Sequence, residues 1–345
     1  AITIFMSNFN VVVHNEKIQN VSATISYIFD CLLTNKDMFL LIDESPDLEQ
    51  VCLGQEYFLS VLQKLCDKFK YKQDRISIEI ENLVQSDCWP NIKRCYRSVD
   101  VLHGQNIAFE FDKKISYKTS LLVAGSRWPR LSIASYLYHN HRNDSLITYW
   151  QNLKDTKQPC YLYLDDLFKN HMQKGIDNDF IDRVNQFVQA LPIHLEDSDK
   201  QENKNTGYIS FTKAYEIMPW YNRIFCDVVC ETVHNGQTFA FTEKSARCWL
   251  SKTPFLVFGP KNYLSNIRKL GFMTFGSFWS ESYDRYENTD RINIIQKQID
   301  HIHQMDYQQL TDLYWSDEMQ NILENNNKVF QTLSQDKIRK VFDLS

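Results

Sequence analysis

The sequence predicts an α/β protein with two Rossmann-like domains and a cleft between them. Three observations predict it. Strand-like and helix-like segments alternate, first over the N-terminal third and again from Ser120 onward. Several strand candidates, Met38–Ile42 and Phe255–Phe258 among them, are short continuous apolar runs of the kind found in parallel strands covered on both faces. The 345 residues suffice for two domains of about 150 residues each.

Ile2–Met6 and Val11–His14 read as short strands, and Val21–Leu33 has apolar residues at helical spacing. Met38–Ile42 is a buried strand that runs into Asp43-Glu44-Ser45-Pro46. Tyr57–Phe69 is a helix, and Ile76–Ile80 alternates as a half-buried strand does. From Val84 to Phe111 the pattern is irregular, with a turn signal at Trp89-Pro90. Leu121–Ala124 is a strand, Gly125–Arg130 a turn, and Leu131–His139 a helix. Leu146–Trp150 and Tyr161–Leu164 are extended, and Asp177–Leu191 is an amphipathic helix. Glu196–Thr206 is polar and loop-like. Asp227–Glu231 (strand), Thr242–Leu250 (helix), Phe255–Phe258 (strand), Lys261–Leu270 (helix) and Phe272–Phe275 (strand) follow, then two or three helices from Asp290. The expected domains are residues 1–115 and 116–345, the second with a helical tail placed to pack back on the first.

Composition excludes several functions. With 43 acidic and 38 basic side chains the net charge is −5, so no broad positive field attracts nucleic acid. None of the nine glycines forms GxGxxG or a phosphate-binding P-loop. The nine cysteines include no CxxC pair; with no leader-like segment they predict reduced, buried thiols and a cytoplasmic protein. No apolar run reaches the roughly 20 residues of a membrane span. Asp197-Ser198-Asp199 lies in a charged loop, Asp165-Asp166 is better placed after a strand but lacks the DxD spacing, and His301 and His303 sit two apart on a helix, so no metal is expected.

Thr242-Glu243-Lys244 carries the most chemistry. Thr242 is a candidate N-cap, leaving the next amides and the helix dipole to attract an anion. Lys244 supplies charge to a phosphate oxygen, and Glu243 accepts hydrogen bonds from sugar or ribose hydroxyls. Glu231, at the preceding strand end, could face the same ligand. The plainer alternative is a capped surface helix whose Glu and Lys are solvated. Arg127 and Arg130 follow a strand in the same way and could hold a pyrophosphate through their planar forks, or form an interdomain salt bridge. In the aromatic stretch Gly271–Asp284 most rings suit a core, while Tyr283 and its polar neighbours could line a cleft or cap the next helix.

The order strand, Glu231, loop, Phe241-Thr242-Glu243-Lys244, apolar strand resembles the donor-binding half of the α1,3-fucosyltransferases. Ser126–Arg130 is similar to that family's upstream Ser-Asn and Arg element. Leu270-Gly271-Phe272, Thr274-Phe275 and Glu281–Asp284 look like phage, viral and bacterial relatives. The resemblance spans about residues 120–285. It implies a GT-B fold, inverting transfer from a nucleotide sugar and no essential metal or other cofactor. It also implies Lys244 and Arg130 on the diphosphate and Glu243 on ribose or sugar. Glu231 is followed by Thr232-Val233 where the family has Asn-Ser, and Ser126 by Arg127 where it has Asn, so the donor's base and sugar stay open.

An inverting transfer needs a base for the acceptor hydroxyl and positive charge on the leaving diphosphate. Asp43, Glu44 and Asp87, each after an N-terminal strand, are candidates for the base, or turn residues and caps. The expected function is therefore a hexosyl- or pentosyltransferase acting on a glycan or on a hydroxylated base of phage DNA. For DNA, the runs Lys68, Lys70, Lys72, Arg75 and Lys93, Arg94, Arg97 would serve, unless they are solvated faces. The alternative is a non-catalytic nucleotide- or carbohydrate-binding protein on the same fold.

Overall fold

The computed structural model describes 10–13, 16–18, 21–36, 38–43, 62–81, 92–95, 110–123, 128–149, 152–153, 158–159, 178–193, 195, 214–231, 234, 239 and 241–342. The chain divides into two compact units. One draws on Ala1–Val101, Thr232–Ala240 and Leu333–Ser345, the other on Leu102–Glu231 and Phe241–Thr332.

The first unit holds a five-stranded sheet of β1 (Asn10–Val13), β2 (Glu16–Ile18), β3 (Met38–Asp43), β4 (Ile76–Glu81) and β5 (Ile92–Cys95), in the order β2-β1-β3-β4-β5. Strands β3, β4 and β5 are parallel, but β1 runs antiparallel to both β2 and β3, so this sheet is mixed where a parallel one was expected. Helix α1 (Val21–Thr34) turns Ile28, Cys31 and Leu32 inward at spacings of three and four, and α2 (62–69) does the same with Leu62, Leu65 and Cys66. Phe29 meets Phe69 edge to face at 5.9 Å. The lysines 68, 70 and 72 lie exposed on and beyond α2, as a solvated face does. The expected strand Ile2–Met6 lies outside the described residues.

The second unit is a Rossmann-like four-stranded parallel sheet with helices. Its strands are β6 (Tyr117–Leu122), β7 (Ser145–Thr148), β10 (Ile224–Cys230) and β11 (Phe255–Phe258), in the order β11-β10-β6-β7. Every residue of β10 and β11 is buried, which explains why both are apolar apart from Asp227. A two-stranded ribbon, β8 (Asn152–Leu153) with β9 (Gln158–Pro159), stands apart.

The helices are α3 (Trp128–Asn140), α4 (Asn178–Gln189), α5 (Ala214–Tyr221), α6 (Glu243–Leu250), α7 (Tyr263–Lys269), α8 (Asn288–Gln304), α9 (Tyr307–Tyr314) and α10 (Asp317–Gln331). Pro129 in the first turn of α3 costs no helical hydrogen bond. In α8, Ile292, Ile295, Ile299 and Ile302 form a fully buried stripe. Helix α11 (Gln335–Val341) belongs to the first unit, where Phe342 beyond its end meets Phe239 at 5.6 Å.

The tail is thus four helices where two or three were expected. Caps mark the breaks: Asp306 forms a capping box with Gln309, while Ser316 and Ser334 accept from Met319 and Lys337 amides. Phe272–Phe275, expected as a strand, is irregular backbone. Its rings are placed by stacking instead: Phe272 on Trp249 at 4.0 Å, and Phe275 on Trp279 at 5.2 Å.

One charge is buried mid-sheet. Asp227 of β10 accepts from Ser120 Oγ at 2.5 Å and from the Tyr221 hydroxyl at 2.8 Å. Burial raises its pKa against the pull of Arg247 and those donors. On the opposite side of β6, His303 of α8 stacks on His141 at 3.9 Å and meets Thr119 Oγ1 through Nε2 at 2.9 Å. His141 Nε2 and the Tyr136 hydroxyl both reach Asp300 Oδ1, at 2.8 and 2.6 Å.

Candidate anion-binding site

The residues singled out around Thr242 gather at the carboxyl end of β10, where parallel α/β sheets bind ligands. Glu231 directly follows β10, and its amide donates to Phe258 O at 2.9 Å, extending the ladder with β11. Helix α6 begins beside it. Thr242 is the N-cap, with extended backbone and a side chain that accepts from the Lys244 amide.

Glu231 turns out to be consumed by the protein. It is buried, and its Oε1 lies 3.2 Å from the Thr242 amide, 2.6 Å from Ser245 Oγ and 3.0 Å from the Tyr263 hydroxyl. The Thr242 hydroxyl donates to Oε2. Ser245 Oγ and the Tyr263 hydroxyl are themselves 2.7 Å apart. Each hydroxyl has one proton, so one donates to the other and the second donates to the carboxylate. Glu231 is therefore a clamp that fixes the start of α6 against β10 and α7. Ser245 and Tyr263 are the partners that sequence reasoning missed; Ser245 sits one turn along α6, but nothing in the spacing points to Tyr263.

Gly259 makes room for this clamp. A Cβ there would stand 2.8 Å from Tyr263 Cδ2. Helix α7 starts after Asn262 in the left-handed region, φ 64°, and its first amides, of Leu264 and Ser265, donate to the Asp284 carboxylate at 2.9 and 3.2 Å. It ends in a Schellman motif, Phe272 N to Ile267 O and Gly271 N to Arg268 O, with Gly271 at φ +98°.

Lys244 and Glu243 form an ion pair at 2.5 Å, with both side chains mostly covered. Burial works against the Glu243 charge, but Lys244 and Arg247 overcome it and hold the carboxyl at about 2. Burial pulls the Lys244 ammonium below its ordinary value; Glu243 opposes that, and the positive charge of Arg130 adds to it. Arg130, buried in the first turn of α3, reaches Cys230 O with its guanidinium at 3.4 Å. Trp128 anchors that turn by meeting Phe258 edge to face at 5.8 Å. Two cations from different helices thus converge on the end of β10.

The structure does not bring Tyr283 into this group. It is fully buried, and among the described residues no contact joins it to Arg130, Thr242, Glu243 or Lys244. Arg127, Glu44 and Asp87 lie outside the described residues. Asp43 is the last residue of β3, at the carboxyl end of a parallel strand of the first unit. Among the described residues no cluster of three or more His, Cys, Asp or Glu side chains is arranged to hold a metal ion, and no helix is long and apolar enough to cross a membrane. The described cysteines 31, 66, 226, 230 and 248 are buried.

Comparison of the chain with protein-family models, with curated proteins and with solved structures found no match.

Proposed function

We propose that this protein is a glycosyltransferase of GT-B type that moves a sugar from a nucleotide-sugar donor to a hydroxyl acceptor. The observation that carries this reading is that Arg130, bonded to Cys230 O at the end of β10, and Lys244 at the Thr242-capped start of α6 lie close enough for their charges to act on each other. Lys244 already draws one carboxylate, Glu243, to this place; Arg130 adds a second positive charge and the helix dipole adds to the attraction for an anion. A diphosphate fits that demand better than a single carboxylate does.

The roles follow from the chemistry. Arg130 and Lys244 neutralise the leaving diphosphate, so no metal is needed for that charge, and a single displacement of the diphosphate by the acceptor hydroxyl inverts the sugar carbon. Glu243 accepts from a ribose or sugar hydroxyl once Lys244 turns to the phosphates. One of the candidate carboxylates Asp43, Glu44 and Asp87 takes the proton of the acceptor, a glycan or a hydroxylated base in DNA. Glu231 touches no substrate; it holds the frame.

The test is titration calorimetry with GDP-, UDP-, CMP- and dTDP-sugars, followed by assay of transfer or donor hydrolysis. One donor should bind, and Lys244→Ala should abolish that binding in a folded protein. Binding by none of them, or full affinity in Lys244→Ala, overturns the reading. Binding without turnover on any acceptor would leave a sugar-nucleotide-binding protein, not an enzyme. Activity lost to a chelator would overturn the metal-independent mechanism.

A further inference from the structure

Arg247 of α6 is a buried charge with little among the described residues to satisfy it. It is 3% exposed, and its Nε has no hydrogen-bond partner among the described residues. The nearest ring, Tyr221, is 6.0 Å from its guanidinium carbon. Among the described residues no carboxylate pairs with it within ion-pair distance. Burying a guanidinium that way costs several kcal/mol unless something answers its charge. What answers is the field of Glu243 and Asp227, against the effect of burial. Asp227 already receives Ser120 and Tyr221, whereas Glu243 stands one turn before Arg247 on the same face of α6. In the present arrangement the Glu243 carboxylate is spent on Lys244 instead, at 2.5 Å.

This arrangement has two berths for one carboxylate. Resting on the donor-site reading above, we propose that Glu243 changes partner when an anionic ligand arrives, leaving Lys244 for the guanidinium of Arg247. The ligand's phosphate oxygens must compete with Glu243 for the Lys244 ammonium. With no second berth, the displaced carboxylate would be left buried beside a negative ligand. Arg247 receives it, so Lys244 is released and Glu243 stays ionised at a fixed place. Arg247 is then a positioning residue: it touches no ligand and governs how readily the site opens to one. The exchange is a movement of hydrogen bonds alone, with no proton or covalent bond transferred.

The partner exchange predicts a pattern among variants that neither a ligand-contacting nor a purely structural arginine would give. The experiment is calorimetric titration of the intact protein with inorganic pyrophosphate. Wild type should bind, and Lys244→Met should lose binding. Glu243→Gln should bind several-fold more tightly, because an amide competes poorly for the ammonium. Arg247→Met should bind about 10-fold more weakly. In the Glu243→Gln background the Arg247→Met effect should vanish, since no carboxylate remains to rehouse. A loss that persists in the double variant overturns the exchange, because Arg247 then acts on the ligand or the fold directly. Wild-type affinity in Arg247→Met, with Lys244 still essential, also overturns it and leaves the donor site standing. Failure of the wild type to bind pyrophosphate removes the donor site itself. Should Arg247→Met not fold by circular dichroism, Arg247→Lys, which keeps the charge and loses the fork, replaces it with the same signs expected.

Discussion

The Tyr263 hydroxyl stands 3.0 Å from Glu231 Oε1, joining the first residue of α7 to the residue that follows β10. Both groups are buried, so the contact is made away from water and belongs to the frame of the site. Glu231→Ala would leave the Thr242 amide and two hydroxyls without their acceptor. Buried donors left unpaired cost about 1–3 kcal/mol each, and Ser245 and Tyr263 can still bond each other. A loss of about 3 kcal/mol is expected from urea unfolding, with about 1 kcal/mol for Tyr263→Phe. Equal effects of the two variants would show that the Thr242 bonds carry nothing.

Gly259→Ala should damage the same frame from another side. The new methyl would meet the base of the Tyr263 ring, at 2.8 Å from Cδ2 and 3.0 Å from Cγ. Those atoms cannot swing aside as a side-chain tip can, so α7 or β11 must shift. Overpacking of this kind costs about 1–3 kcal/mol. Thermal melting checks it, and Tyr263→Ala in the same chain should recover part of the loss by making room.

Arg130 should reveal itself through the pH range of anion binding. Its charge helps to lower the affinity of Lys244 for its proton, after burial and against Glu243. Binding that needs the ammonium is lost as pH rises through the Lys244 pKa. Arg130→Met removes one repulsion, so pyrophosphate affinity should fall while its alkaline limit moves to higher pH. A limit that stays put or moves down would mean that the two cations do not face each other.

His303 should make the protein acid-sensitive. Burial first, then His141 and Lys118, lower its pKa to about 4, against Asp144 and Asp300. An unfolded histidine titrates near 6.5, so between those values the unfolded chain holds more protons. Stability is full above about pH 6.5 and falls as pH drops toward 4. Allowing for solvent around a part-buried ring, about 1–2 kcal/mol should be lost. Chemical denaturation at a series of pH values measures the slope, and His303→Gln should flatten it. The groups facing His303 are His141, Asp300, Asp144, Lys118, Thr119 and Ser145, so His141→Gln should flatten it only in part.

Much of the second sheet was legible because its strands are buried on both faces. Phe255–Phe258 was read to the residue, and Asp227–Glu231 found the carboxyl half of β10, the half that matters for the site. Strand β5 escaped notice because Lys93 and Arg94 occupy its centre and break any apolar run. Strand β6 begins at Tyr117, earlier than expected, with Lys118 inside it. Lys118 is tolerable there because its ammonium donates to His303 O at 2.9 Å, a contact 185 residues away that no local pattern reveals. The N-cap at Thr242 is a local property and was legible. That Glu231 serves its own chain was not, since Tyr263 comes 32 residues later and meets it only through the fold.

The helix Gln335–Val341 and Phe342 complete the unit that the earliest residues begin, and Phe342 packs on Phe239 there. Order of synthesis therefore differs from order of completion. All five strands of the first sheet are made before any residue of the second. Yet the first unit lacks its closing segments until the chain has grown past Leu333, after the strands and helices of the second unit are finished. During translation the N-terminal strands wait for those late segments, so chaperone protection and proteolytic loss should fall on them.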